Sequence, residues 1–142
     1  MLASSTASES SSRGKQRSET HGQTPTEFYA YAAGYFDGEG CFTYRSSPII
    51  EAVSVYPFTL EEIAINLGGK VFKRVPRAKQ RVYYQYRIYG GPALELVKKI
   101  LPYLREKRVQ ALQLFRIREL PPGPEREKLK AELKAMKQVE YK

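Results

Sequence analysis

Residues 32–42 read AAGYFDGEGCF. A run of small residues passes two aromatics and ends in two acids, Asp37 and Glu39, each followed by glycine. This predicts a helix with an alanine-and-glycine side that finishes on carboxylates. Its start is also legible. In TPTE, Thr24 stands at an N-cap, Pro25 at the first helical position and Glu27 where a capping box closes. On a helical wheel Ala30, Ala33, Gly34 and Asp37 share one face, with Phe28, Tyr31, Ala32 and Tyr35 opposite. The aromatic side is expected to anchor the helix in its own core. The small side admits another backbone, and a second copy across a two-fold axis is the expected neighbour. The helix is expected to run to about Phe36, with Gly38 closing it in a conformation that other residues avoid. Glu39 then projects beside its symmetry mate. Two carboxylates so placed repel unless cations lie between them, and hard oxygen ligands suit Mg²⁺ or Mn²⁺. A water polarised by such a metal is a nucleophile for phosphodiester hydrolysis.

Outward from this helix the chain alternates short elements. CFTYR reads as a strand, SSP as a turn and IIEAVSVY (49–56) as a second strand. TLEE (59–62) reads as a capping box for a helix with Leu60, Ile63, Ala64 and Leu67 on one face, stopped by Gly68-Gly69. KVFKRV and RVYYQYRIY form a hairpin. A third helix carries Ala93, Leu96, Val97 and Ile100, and a fourth is expected from about Tyr103 to Leu120. After PPGP comes a charged amphipathic helix with a stripe at Leu129, Leu133, Met136 and Val139. The order α-β-β-α-β-β-α plus C-terminal helices predicts an α+β fold, with helices on one face of a small antiparallel sheet. Residues 24–120 form the expected domain, 121–142 the charged helix, and 1–23 a Ser/Thr-rich tail too poor in apolar groups to fold.

Charge indicates what the uncovered face meets. With 24 Lys+Arg against 15 Asp+Glu the chain carries a formal +9, which points to a polyanion. In RVYYQYRIY, Val82, Tyr84, Tyr86 and Ile88 alternate with Arg81, Tyr83, Gln85 and Arg87. The first set suits the core. The second, with Arg45, Lys70, Lys73, Arg74, Arg77 and Lys79, makes a donor-rich ribbon suited to the major groove of double-stranded DNA. A merely solvated sheet face is the plainer alternative, but it does not call for one sign of charge. The single cysteine, Cys41, excludes an internal disulfide and suits a reducing interior. No run approaches the ~18 apolar residues of a membrane span, so a soluble intracellular protein is expected, in cytoplasm or nucleoid, with an organelle the lesser option because Glu9 and Glu19 argue against a transit peptide.

AAGYFDGEG resembles the signature helix of the LAGLIDADG homing endonucleases, with its Ala-Gly, first acid, small residue, second acid and glycine. ILPYLREKRVQA (100–111) is similar to the family's late L-P-[FY]-L-x-x-K-[RQ]-x-Q-A segment. The resemblance covers Thr26 to about Leu120. It implies the αββαββα fold, with Glu39 binding divalent metal, the carbonyl of Gly38 as a further ligand, Asp37 at the helix interface and Lys107 assisting at the active site. One signature copy implies a homodimer cutting a near-palindromic site. Such enzymes are commonly encoded within introns or inteins, and some relatives are maturases that bind intron RNA. The chain departs from the pattern in its first hairpin, where only 18 residues (41–58) separate Gly40 from Thr59. Glu51 lies in that hairpin and reduces its cationic character. A polar residue of that strand often positions water in the family, and Ser54 is the nearest equivalent.

Overall fold

A computed structural model describes residues 24–77 and 80–139; the expected tail, Lys79 of the basic ribbon and the Val139 side chain lie outside the described parts. Thr24 caps helix α1 (Pro25–Glu39): its hydroxyl accepts from the Glu27 amide at 3.1 Å, and the Glu27 carboxylate accepts from the Thr24 amide at 2.8 Å. The helix does not stop near Phe36. Gly38 lies inside it without positive φ, which corrects the expected left-handed ending. The chain instead leaves α1 through Gly40 in extended conformation (φ −83°, ψ 159°) and enters strand β1 (Gly40–Tyr44) at once. Gly40 is the glycine this junction needs, since a Cβ there would stand 2.8 Å from both the ring and the carbonyl oxygen of Phe36.

β1 turns through Arg45–Ser47 into β2 (Pro48–Ser54), which leads to α2 (Phe58–Leu67). Leu60, Ile63 and Leu67 of α2 are buried. Its N-cap is Pro57 rather than Thr59, and no side chain caps it. The helix begins two residues early, and the Thr59 hydroxyl lies 3.1 Å from that of Tyr31. Tyr31 is accordingly 42% exposed and is not part of the core. Gly68 and Gly69, at φ 92° and 102°, stop α2. The chain continues as β3 (Lys70–Arg74), β4 (Tyr83–Tyr89), α3 (Gly91–Ile100), a 3-10 turn (Leu101–Tyr103), α4 (Arg108–Glu119) and α5 (Pro124–Val139). The expected fourth helix therefore starts at Arg108, later than its sequence pattern implies, because the segment before it is held in a turn by Asp37. Val82, assigned to the core, precedes β4 and is 37% exposed.

The strands form one antiparallel sheet in the order β1-β2-β4-β3. Phe42, Ile50, Ala52, Tyr86 and Ile88 face the helices and are buried. Phe36 closes the centre: its ring centroid lies 6.4 Å from that of Phe42 and 5.8 Å from that of Tyr86. Leu133 brings α5 into the same core at 2% exposure.

Tyr86 shows how a polar group is accommodated there. Its hydroxyl donates to the Gly68 carbonyl at 2.6 Å, and burial pushes its phenol far above the usual tyrosine range. A folded-state value above the unfolded one keeps stability intact below pH ~10 and removes it as pH rises further, because only the unfolded chain then gives up the proton. Tyr86→Phe should cost about 1 kcal/mol at neutral pH and flatten that alkaline decline. Urea unfolding at pH 7 and pH 10.5 measures both; an unchanged alkaline slope would show that other groups control it.

Candidate functional site

Cross-strand partners in an antiparallel sheet share a face, so the register identifies the surface opposite the helices. It carries Cys41 and Thr43 on β1, Ile49, Glu51 and Val53 on β2, Tyr83, Gln85, Arg87 and Tyr89 on β4, and Lys70, Phe72 and Arg74 on β3. Tyr83, Gln85, Arg87, Lys70 and Arg74 thus come together on one surface as the alternation implied. Lys73 does not join them. It pairs with Tyr84, on the helix-covered side, although it stays exposed at the sheet edge. Arg77 and Arg81 lie exposed in the β3–β4 connection, and Arg45 is exposed in the first turn.

The row is not a set of independent donors. The Glu51 carboxylate accepts from Arg87 Nε at 2.7 Å and from Gln85 Nε2 at 3.1 Å, with Arg87 Nη2 at 2.5 Å. Gln85 in turn accepts from Arg74 Nε at 2.9 Å, and the Arg74 guanidinium lies 4.9 Å from the Phe72 ring centre. Glu51 therefore orders the cations around it instead of only diluting them. Sequence reasoning missed this because Glu51 and Arg87 are distant in the chain and become partners only through the β2–β4 register.

The acids at the end of α1 have separate environments. Asp37 is bonded within its own chain: its carboxylate accepts from the backbone amides of Arg105 at 2.8 Å and Lys107 at 3.0 Å, which holds the turn before α4. Lys107 is 8% exposed, and its ammonium donates to the carbonyls of Asp37 at 2.9 Å and Phe36 at 3.4 Å. A cation there complements the negative end of the helix dipole. Glu39 is exposed at that same end. Tyr35 lies near it; its phenol is pushed up chiefly by burial, with the Glu39 charge adding and a hydrogen bond to Ser54 opposing.

The outer side of α1 is narrower than expected. Ala33 is fully buried in the chain's own core, so it is not available to a second copy. Ala30 and Gly34 are exposed, as is Gly38 one turn on, and a Cβ at either glycine would meet nothing within 4 Å. Among the described residues no group of three or more His, Cys, Asp or Glu side chains gathers to hold a metal. The exposed Glu39 carboxylate is a hard donor that fits a divalent cation, but alone it is a partial ligand set. Among the described residues no helix is long and apolar enough to cross a membrane.

No family model matches the sequence, and no curated protein matches it. Solved structures do match the fold. The homing endonuclease I-CvuI, in complex with its target in the presence of Ca, superposes with a TM-score of 0.64 at 21% identity, over 79% of this chain and 83% of that one. A second I-CvuI complex, with Mg and uncleaved DNA, gives 0.61 at 23% over the same shares. The archaeal intron-encoded homing endonuclease I-Vdi141I, complexed with DNA, gives 0.65 at 17%, over 80% of this chain and 86% of that one.

Proposed function

This chain has the fold of the LAGLIDADG homing endonucleases, and from that premise we propose that it is a site-specific DNA endonuclease acting as a homodimer with divalent metal. One observation carries the reading: an open sheet face bearing Lys70, Arg74, Arg87 and Gln85 belongs to the same small domain as an exposed carboxylate, Glu39, at the end of a helix whose outer side is alanine and glycine. The sheet face binds the duplex, with cations on phosphates and the Arg87–Gln85 pair toward base edges. Glu39, with the Gly38 carbonyl beside it, is the donor set that one chain offers, and the second copy completes it. Mg²⁺ or Mn²⁺ held there supplies a polarised water and charge neutralisation on the phosphate. Lys107 fixes the carbonyls at the end of α1 and brings positive charge to the point from which Glu39 projects. Asp37 fixes the turn that carries Lys107.

The dimer can be tested separately. Gly34→Ala should raise monomer stability by up to about 1 kcal/mol, since alanine is the better helix former and the new methyl meets nothing within the chain. The same methyl stands on the proposed contact surface and should weaken self-association. Sedimentation equilibrium with chemical unfolding separates the two effects; unchanged association would move the interface elsewhere.

A second reading has its own support. The turn between β1 and β2 has three residues, Arg45–Ser47, so this hairpin reaches a short stretch of groove. A binder that does not cut, such as an intron RNA maturase or a decayed relative, fits that feature. The deciding experiment is to incubate the protein with a randomised duplex library and Mg²⁺ and to sequence the ends produced. Recurrent ends at a near-palindromic site establish the nuclease. Folded, dimeric protein that yields no ends above background sinks it, and RNA binding is then the assay to run.

A further inference from the structure

Helix α5 gives the open face a side wall. It packs on α4 and β1, with Leu133 in the core. Arg126 secures its first turns: the guanidinium donates to the Ile117 carbonyl at 3.1 Å and lies 5.4 Å from the Tyr44 ring centre. On that side Arg126, Lys130, Lys134 and Lys137 recur at helical spacing and form one cationic stripe. Lys130, Lys134, Lys137 and Arg45 line a trough floored by Cys41, Thr43 and Glu51, which the register places on the open face. Lys137 lies over this floor, its ammonium 2.7 Å from the Thr43 hydroxyl.

The charges do not cancel. The Glu51 charge is met by Arg87, and Glu127 pairs with Lys130 at 3.1 Å. Among the described residues, Arg45, Lys134 and Lys137 have no carboxylate within salt-bridge distance. The trough shares its face with the cations of β4 and β3, since the register runs from Cys41 through Glu51 and Arg87 to Lys70.

We propose that the α5 wall is a phosphate-binding ledge that takes the backbone of one strand of duplex DNA lying across the sheet. This rests on the nucleic-acid reading of the open face. Lys130 to Lys137 spans about 10 Å along the helix at 1.5 Å per residue, roughly three base-pair rises. A repeating anion suits a row of this kind better than a single ligand does. The ledge also compensates sideways for contact that the short first hairpin cannot make lengthwise.

The test uses the full chain and a fluorescent random-sequence duplex titrated over a series of salt concentrations. Lys130→Ala with Lys134→Ala leaves α5 a good helix former and spares the anchors Arg126, Leu133 and Lys137. Loss of two phosphate contacts per protomer should lower the slope of log K against log salt by about 1.8 for each protomer bound, about 3.6 for the dimer, and weaken binding at every salt concentration. Lys98→Ala with Lys99→Ala, on α3 away from the trough, removes the same charge and should leave the slope unchanged. Wild-type slope in the α5 variant, or equal loss in the α3 variant, overturns the ledge while leaving the sheet reading intact. Failure of the unaltered chain to bind duplex overturns both. A slope loss seen only with structured RNA overturns duplex DNA as the occupant.

Discussion

Glu39→Gln is expected to lower strand cleavage by at least about 10³-fold while leaving duplex binding intact or slightly tighter. Glutamine keeps the shape and exposure of the side chain but lacks the anionic oxygen that a hard divalent cation prefers. The loss corresponds to about 4 kcal/mol of transition-state stabilisation, within the several kcal/mol that a Lewis-acid metal contributes. Binding is spared because the cations of β3, β4 and α5 are untouched, and removing an anion near phosphates reduces repulsion. Cleavage and binding should be measured on the same preparation, since Glu39 is exposed and its replacement disturbs no core contact. Activity within tenfold of the parent would refute the metal role given to Glu39. A parallel loss of binding would mean the residue acts in recognition.

Gly69→Ala should be the most damaging small change to the fold, at about 4 kcal/mol. Two effects combine. Gly69 sits at φ 102°, a region that L side chains rarely adopt. A Cβ there would lie 2.6 Å from Tyr86 Cε1 and from its hydroxyl. Tyr86 cannot easily give way, because it is fully buried, contacts Phe36 and donates to the carbonyl of Gly68. Overpacking of this kind costs typically about 1–3 kcal/mol, and the backbone strain about as much again. For a domain with a net stability of about 5–15 kcal/mol this is a large fraction, and should lower the melting temperature by more than about 10 °C. Calorimetry on the variant checks it. A shift of under about 3 °C would mean that the α2–β3 corner relaxes around the new methyl.

The two glycine substitutions separate fold from assembly. Gly34→Ala adds its methyl to open space on α1, whereas Gly69→Ala drives its methyl into the core. The sequence marks Gly69 as part of a helix stop and Gly34 as part of a helix, but what a methyl would meet at each is set by the distant residues that the fold brings there.

What the sequence determined by itself was local or periodic. The capping box at Thr24, the stop at Gly68-Gly69, the buried faces of α2 and α3 and the two-residue alternation of β4 each depend on neighbours within one or two turns. The order of elements and the antiparallel sheet followed from them, and the acid-bearing end of α1 was visible as a motif. Tertiary structure decided the remainder because it depends on which distant residues meet. Only the junction into β1 showed that Gly40, not Gly38, is the glycine the chain needs. Only the fold put Ala33 in the core and tied Asp37 to amides about seventy residues away. The β2–β4 register turned Glu51 from a stray acid into the centre of the Arg87–Gln85–Arg74 group. Packing of α5 against β1 carried its lysines to the open face. A helical pattern reports that a stripe of residues exists, but the direction in which it points is set by the surfaces that bury its other side.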